Sequence, residues 1–202
     1  IAATLGGELS EPRVAAELGS RLPDEATLVV ASSMPVRDVE TFFPARPSAF
    51  RVLSNRGANG IDGTISTAFG VAAAARGPVV LLIGDVAFAY DIGGLLAASR
   101  LGLKLVIVLI DNDGGGIFEF LPASGQGAAY VDHIATPHGL DFTHAAALYG
   151  LGYERVASVE AFRAALDGAL AAERSTIICV RTNREENVAL HRRVWESVRS
   201  AT

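Results

Sequence analysis

Two short runs, "PVVLLIG" (78–84) and "KLVIVLI" (104–110), constrain this chain more than anything else in it. Each is apolar at nearly every position, so neither shows the alternation of a strand with one wet face. Each is also far shorter than the roughly 20 residues that cross a bilayer. What remains is a strand covered on both faces, as in a parallel sheet with helices above and below it.

The rest of the chain supplies those helices and more strands. "SEPRVAAELGSRL" (10–22) reads as a helix, with Ser10 as N-cap, Pro12 in the first turn and Val14, Leu18 and Leu22 as its apolar stripe. Further strands are expected at 27–33, 50–55, 153–157 and 175–181. Further helices are expected at 64–76, 91–102, 141–150, 158–173 (capped by Ser158) and 184–200. Alternation of this kind predicts an α/β domain over 1–202, doubly wound around a mainly parallel six-stranded sheet with helices on both faces. Leu95 and Leu96 are expected in the core, and Asp91 as the N-terminal carboxylate of the 91–102 helix. His144 is read as a packing or capping histidine. The segment 123–139 is the longest without a pattern, and loops of that length are often functional or mobile.

Composition sets limits on function. Half the residues are hydrophobic, which allows a sizeable core. The net charge is −5 with no basic stripe, which argues against a nucleic-acid surface. An anionic ligand would need a metal, a helix N-terminus or particular arginines. The single cysteine, Cys179, reads as a core thiol in "TIICV" and fits a reducing, cytoplasmic setting. No signal peptide is visible. The chain opens on Ile1 and is expected to be a piece of a longer protein.

In open α/β sheets ligands bind beyond the carboxyl ends of the strands. The first four strands deliver "SSMPVRD", "SNRGANGIDG", "GDVAFAYD" and "DNDGGGIF" there. The last stretch fails as an EF-hand, because counting from Asp111 puts Gly115 at position 5 and Pro122 at position 12. No Gly-Lys-Ser/Thr triplet and no GxGxxG is present. A strand-to-loop turn with Asx caps would explain the stretch by itself. Gly84-Asp85 shifts the balance from that turn towards a metal site, because parallel neighbours joined by one helix bring their carboxyl ends together. Asp85 and Asn112 are then hard oxygen donors at one edge, suited to Mg²⁺, and a glycine beyond Asn112 can offer a close carbonyl. A diphosphate beside Asp85 would be repelled by roughly 4 kcal/mol per charge pair at 4 Å and an effective dielectric of 20, and a bridging cation reverses that sign. The carboxylate of Asp85, the side-chain carbonyl of Asn112, the carbonyl of Gly114, two phosphate oxygens and a water would complete six oxygens. Asp111 and Asp113 are expected not to be ligands, and His133, His138 and His191 show no metal-ligand spacing.

"GD", a helix and a strand, then "N" followed by glycines resembles the motif of the thiamine-diphosphate-dependent enzymes, at 112 − 85 = 27 residues. That family usually ends the motif in Asn-Asn, where this chain has Asp111-Asn112. "SNRGANGIDGTISTAFGVA", "GGGIF", "DFTHAAALYGL" and "SSMPVRD" resemble one branch, the 2-succinyl-5-enolpyruvyl-6-hydroxy-3-cyclohexene-1-carboxylate synthases of menaquinone biosynthesis. The resemblance covers nearly the whole chain. It implies a metal site at Asp85, Asn112 and the Gly114 carbonyl, taking Mg²⁺ or Mn²⁺, with Gly84 beside the cofactor. It implies that Ile61 props thiamine diphosphate in its bent form. Ser33, Arg37 and Arg56 would meet the substrate carboxylates, and Ile117 and Phe118 would flank the reacting carbon. Arginine's planar fork suits carboxylates well.

The branch further implies decarboxylation of 2-oxoglutarate and addition of the succinyl unit to isochorismate. It implies a homo-oligomer in which a pyrimidine-binding domain of another subunit completes the site. This chain would then be the C-terminal diphosphate-binding domain, inactive alone and not inserted in a membrane. Two alternatives stay open. An acetolactate synthase or decarboxylase would share the metal site without needing "SNRGANGIDG". A non-catalytic Rossmann-like module would be indifferent to Asp85.

Overall fold

The computed structural model describes residues 5–47, 50–58 and 60–201, so Asn59 of "SNRGANGIDG" lies outside the described residues. Six strands, β1 (Thr27–Val30), β2 (Arg51–Leu53), β3 (Val79–Gly84), β4 (Val106–Asp111), β5 (Gly152–Val156) and β6 (Thr176–Arg181), form one sheet. Their order is β2-β1-β3-β4-β6-β5, and every neighbouring pair is parallel. All carboxyl ends therefore open on one edge, as expected for a doubly wound α/β sheet.

The helices are α1 (Glu11–Arg21), α2 (Met34–Phe42), α3 (Thr64–Ala74), α4 (Asp85–Tyr90), α5 (Leu96–Leu101), the single turn α6 (Ala128–Tyr130), α7 (Thr143–Tyr149), α8 (Val159–Ala171) and α9 (Arg184–Ala201). Because side chains alternate along a strand, the central strands feed two cores. Val29, Leu81, Ile83, Ile107 and Leu109 point to one face, against Phe69 of α3, Phe88 of α4 and Ala146 of α7. Leu28, Val80, Leu82, Val106 and Val108 point to the other, against the Val14–Leu18–Leu22 stripe of α1 and Phe162 and Leu166 of α8. Each such fully buried side chain stabilises the fold by roughly 1.5–3 kcal/mol. A third, smaller cluster joins Ala15 of α1, Phe42 of α2 and Leu190 and Val194 of α9. Cys179 is buried in the first core, as its apolar run predicted.

Several sequence expectations are corrected. The strands end earlier than their apolar runs suggest, because the chain after β1 and β3 turns almost at once into α2 and α4. Pro35 sits in the first turn of α2, where its missing N–H is harmless. Residues 91–102 are a 3₁₀ turn (Ile92–Leu95) followed by α5, because Gly93-Gly94 passes close to α3: a Cβ on Gly94 would lie 2.7 Å from Ser66 Oγ. Asp91 does not cap its own helix. Its carboxylate accepts the Ser66 N–H at 2.7 Å and the Ser66 hydroxyl at 3.0 Å, so it caps the first turn of α3 instead. Leu95 is buried, but Leu96 is 48% exposed and outside the core. Ser10 and Ser158 cap α1 and α8 through their side chains, as read from sequence. Among the described residues no helix is long and apolar enough to cross a membrane.

One ion network ties α1 to α8. Glu17 accepts Arg163 Nε and Nη2 at 2.7 and 2.8 Å, and Arg13 Nε at 2.9 Å. The Arg163 hydrogen bond, opposed by burial and helped by both arginine charges, holds the Glu17 carboxyl below its ordinary value of 4.5. Its stabilisation is therefore present above that value and lost as pH falls through the depressed one. Glu17→Gln is expected to cost about 1–2 kcal/mol near neutral pH. The gap to wild type should close as pH falls below the ordinary carboxylate value, read as the difference in urea midpoints.

Candidate functional site

The β3–β4 register pairs Gly84 with Ile110, so Asp85 and Asn112 arrive side by side at the sheet edge. Asp85 is the first residue of α4 and is buried. Its Oδ1 accepts the Val86 N–H at 2.7 Å, and its Oδ2 accepts the N–H groups of Asn112 at 3.0 Å and Gly114 at 3.1 Å. His138 Nε2 lies 3.1 Å from the same Oδ2. Burial raises the Asp85 acid above its ordinary value, and these hydrogen bonds pull against that rise.

The three glycines that follow each have a spatial reason. Gly114 has φ +133°, and a Cβ there would overlap the Ala135 carbonyl oxygen. A Cβ on Gly115 would lie 2.7 Å from the Phe118 ring, and one on Gly116 would lie 2.7 Å from Asn112 Nδ2. The Asn112 amide thus lies directly over Gly116. Its Nδ2 donates to Glu11 Oε1 at 3.0 Å. Its Oδ1 is buried and has no hydrogen-bond partner among the described residues. The Gly114 carbonyl accepts the Gly116 N–H at 2.9 Å, which leaves its second lone pair.

A cleft of about 290 Å³ opens over this edge. Of the residues singled out in the sequence, Ser33, Ile61, Gly84 and Asp85 line it from β1, the segment before α3, and β3. Asn112, Gly114, Ile117 and Phe118 line it from the loop after β4. Arg37 does not. It lies in an adjoining groove of about 400 Å³ that shares Met34, Ile117 and Phe118 with the cleft. Arg56 is exposed and reaches the cleft margin through Ser32, whose Oγ accepts its Nη1 at 3.2 Å. Ser33 has φ +73°, uncommon for a residue with a side chain, and its side chain makes no capping hydrogen bond to α2. Its carbonyl accepts Arg37 Nη1 at 2.6 Å.

Sequence reasoning missed two neighbours of the site. His138 was dismissed on ligand spacing, yet Asp85, Asp111 and His138 bring potential ligand atoms within 4.8 Å of one another. Asp111 is taken up by Arg181 Nη1 at 3.1 Å, and Asp113 Oδ1 accepts the N–H groups of His138 and Gly139. Those bonds, with Gly115 N–H to the Ala135 carbonyl at 2.8 Å, order the patternless 123–139 segment against the glycine loop. Glu11 is the other. It is a first-turn acid of α1, yet it is 3% exposed, and burial, with the nearby Asp38 charge, pushes its carboxyl up to about 8. The edge thus gathers a buried carboxylate, an orphaned amide oxygen and a spare backbone lone pair. These are all hard oxygen donors, a set that fits Mg²⁺ or Mn²⁺.

Comparison with known proteins agrees with this geometry. The chain is 45% identical over 90% of its length to a 2-succinyl-5-enolpyruvyl-6-hydroxy-3-cyclohexene-1-carboxylate synthase of Bacillus velezensis, covering 32% of that protein. It is 47% identical over 93% of its length to the synthase of the same name from Myxococcus xanthus, again covering 32%. The chain thus spans about a third of the length of the curated relatives it matches. Its fold resembles a thiamine diphosphate-dependent 4-hydroxybenzoylformate decarboxylase of Rhodococcus jostii RHA1, with TM-score 0.70, 26% identity, and coverage of 88% of this chain and 33% of that one. Residues 35–180 match the family described as "Thiamine pyrophosphate enzyme, C-terminal TPP binding domain", and with most of its length inside that match the chain belongs to this family.

Proposed function

We propose that the full-length protein is a cytoplasmic, thiamine-diphosphate- and Mg²⁺- or Mn²⁺-dependent synthase. It would decarboxylate 2-oxoglutarate and add the succinyl unit to isochorismate, giving 2-succinyl-5-enolpyruvyl-6-hydroxy-3-cyclohexene-1-carboxylate. The observation that carries this reading is identity of 45–47% to curated synthases of that product across at least 90% of this chain. The decarboxylase reading has only the 26% structural likeness behind it.

Asp85, the Asn112 Oδ1 and the Gly114 carbonyl would hold the cation, which would supply positive charge to offset that of a diphosphate. Thiamine diphosphate, when bound, supplies the electron sink for decarboxylation and carbon–carbon bond formation. The chain's own residues shape the rest. Ile61, which lines the cleft from the segment before α3, would set the cofactor's conformation. Ile117 and Phe118 form an apolar wall that excludes water from the reacting carbon. Ser33 presents its hydroxyl to the substrate, because its backbone turns it away from capping α2. Arg37 in the adjoining groove and Arg56 at the margin bind substrate carboxylates. A pyrimidine-binding domain of a second subunit closes the site, so turnover requires the oligomer, and this chain alone is inactive.

The test is carboligation by the full-length protein of 2-oxoglutarate with isochorismate, set against pyruvate and benzoylformate chemistry. Preference for either of the latter would overturn the assignment. Arg37→Ala is expected to raise the KM of a carboxylate substrate by about 10–100-fold, the equivalent of one charge-assisted contact. Steady-state kinetics should show kcat moving less than KM.

A further inference from the structure

The amide of Asn112 has two ends of similar shape and opposite use, since its oxygen can hold a cation and its NH₂ repels one. We propose that Glu11 is a positioning residue for the metal site, fixing the Asn112 amide so that Oδ1 faces the cleft. The inference rests on the reading of Asn112 as a ligand, and it adds a residue from outside the matched 35–180 segment.

Three observations carry it. Glu11 Oε1 accepts Asn112 Nδ2 at 3.0 Å, and the same oxygen accepts the Thr182 hydroxyl at 2.8 Å. With Thr182 donating to it, that oxygen acts as an acceptor and selects the NH₂ end of the amide. The opposite end, Oδ1, is left buried with no partner among the described residues. A buried acceptor in that state is costly unless something at the site satisfies it. Finally, the amide lies over Gly116 so closely that a Cβ there would come within 2.7 Å of Nδ2, so the glycine is what admits the amide in this pose. Glu11 is the first residue of α1, whose N-cap Ser10 accepts the Arg13 N–H, so the brace is built into a capped helix start.

The experiment uses the full-length protein and reads the Mg²⁺ concentration that half-saturates thiamine diphosphate binding, by calorimetry at fixed cofactor. Glu11→Met keeps the buried volume but removes the acceptor, and is expected to raise that concentration by about 10–100-fold. Glu11→Gln keeps an acceptor oxygen for both Asn112 and Thr182, and is expected to stay close to wild type. Asn112→Ala should lose at least as much as Glu11→Met, and combining the two should add nothing further, because Glu11 acts through Asn112. A Glu11→Gln variant as impaired as Glu11→Met overturns the proposal, as does a double variant whose losses add. If Glu11→Met matches wild type while Asn112→Ala fails, the proposal falls and the metal site stands. If Asn112→Ala also matches wild type, the ligand reading falls and the proposal with it. Should Glu11→Met not fold by circular dichroism, Glu11→Gln still decides.

Discussion

Asp85→Ala in the full-length protein is expected to raise the Mg²⁺ requirement for thiamine diphosphate binding by on the order of 10³-fold. At an effective dielectric of 20, one charge pair at 4 Å is worth about 4 kcal/mol, and each 1.4 kcal/mol is about tenfold. Alanine also strips an acceptor from the Asn112 and Gly114 N–H groups, which loosens the loop carrying the other ligands. Asp85→Asn separates these effects, since it keeps an acceptor but loses the charge, and it should fall between alanine and wild type. Titrations with and without Mg²⁺ read all three proteins. Unchanged binding by Asp85→Ala would remove the metal site from this edge and favour a binding module that does not use it.

Gly114→Ala is expected to destabilise the domain by about 3 kcal/mol and to remove cofactor binding with it. Two causes add here. The backbone sits at φ +133°, a region that L side chains rarely adopt, and the new methyl would overlap the Ala135 carbonyl and lie 2.7 Å from Arg184 Nη1. That guanidinium is not free to retreat, because its Nη1 also donates to the Asp113 carbonyl at 2.6 Å. The control is Gly70→Ala in α3, where the added methyl meets nothing within 4 Å. There alanine should stabilise by up to about 1 kcal/mol, through helix propensity. Urea midpoints of the two variants should move in opposite directions. A Gly114→Ala protein as stable as wild type would mean that the loop has other conformations available.

The central strands were legible because burial on both faces removes alternation, and β3 and β4 carry that signal at almost every residue. Asp85 and Asn112 were legible for a related reason. Parallel neighbours must end together, so two polar residues at those ends must meet. What failed to show is equally physical. The helix α4 starts where β3 stops, and only residues 31–33 separate α2 from β1, so neither helix has a loop to announce it. Asp91 has the composition of a cap for the helix that follows it, and only the fold shows it capping α3. Arg37 follows β1 as the motif suggests, but one helical turn carries it into the next groove. Glu11 stands 101 residues from Asn112, and no local pattern distinguishes a buried acid from the solvated first-turn acids common at helix starts. His138 is likewise placed by Asp113, whose carboxylate gathers a distant loop through two backbone N–H groups.

The third core cluster, in which α1 and α9 meet over α2, redraws the edges of the working unit. The family match marks out residues 35–180, yet Glu11 lies upstream of that interval, and Thr182 and Arg184 lie downstream of it. A gene fragment trimmed to that match would encode Asp85, Asn112 and Gly114 and still discard the side chains that bond the Asn112 amide and the Asp113 carbonyl. Heterologous expression, domain grafting and chimeras with related enzymes should therefore cut outside both flanking helices.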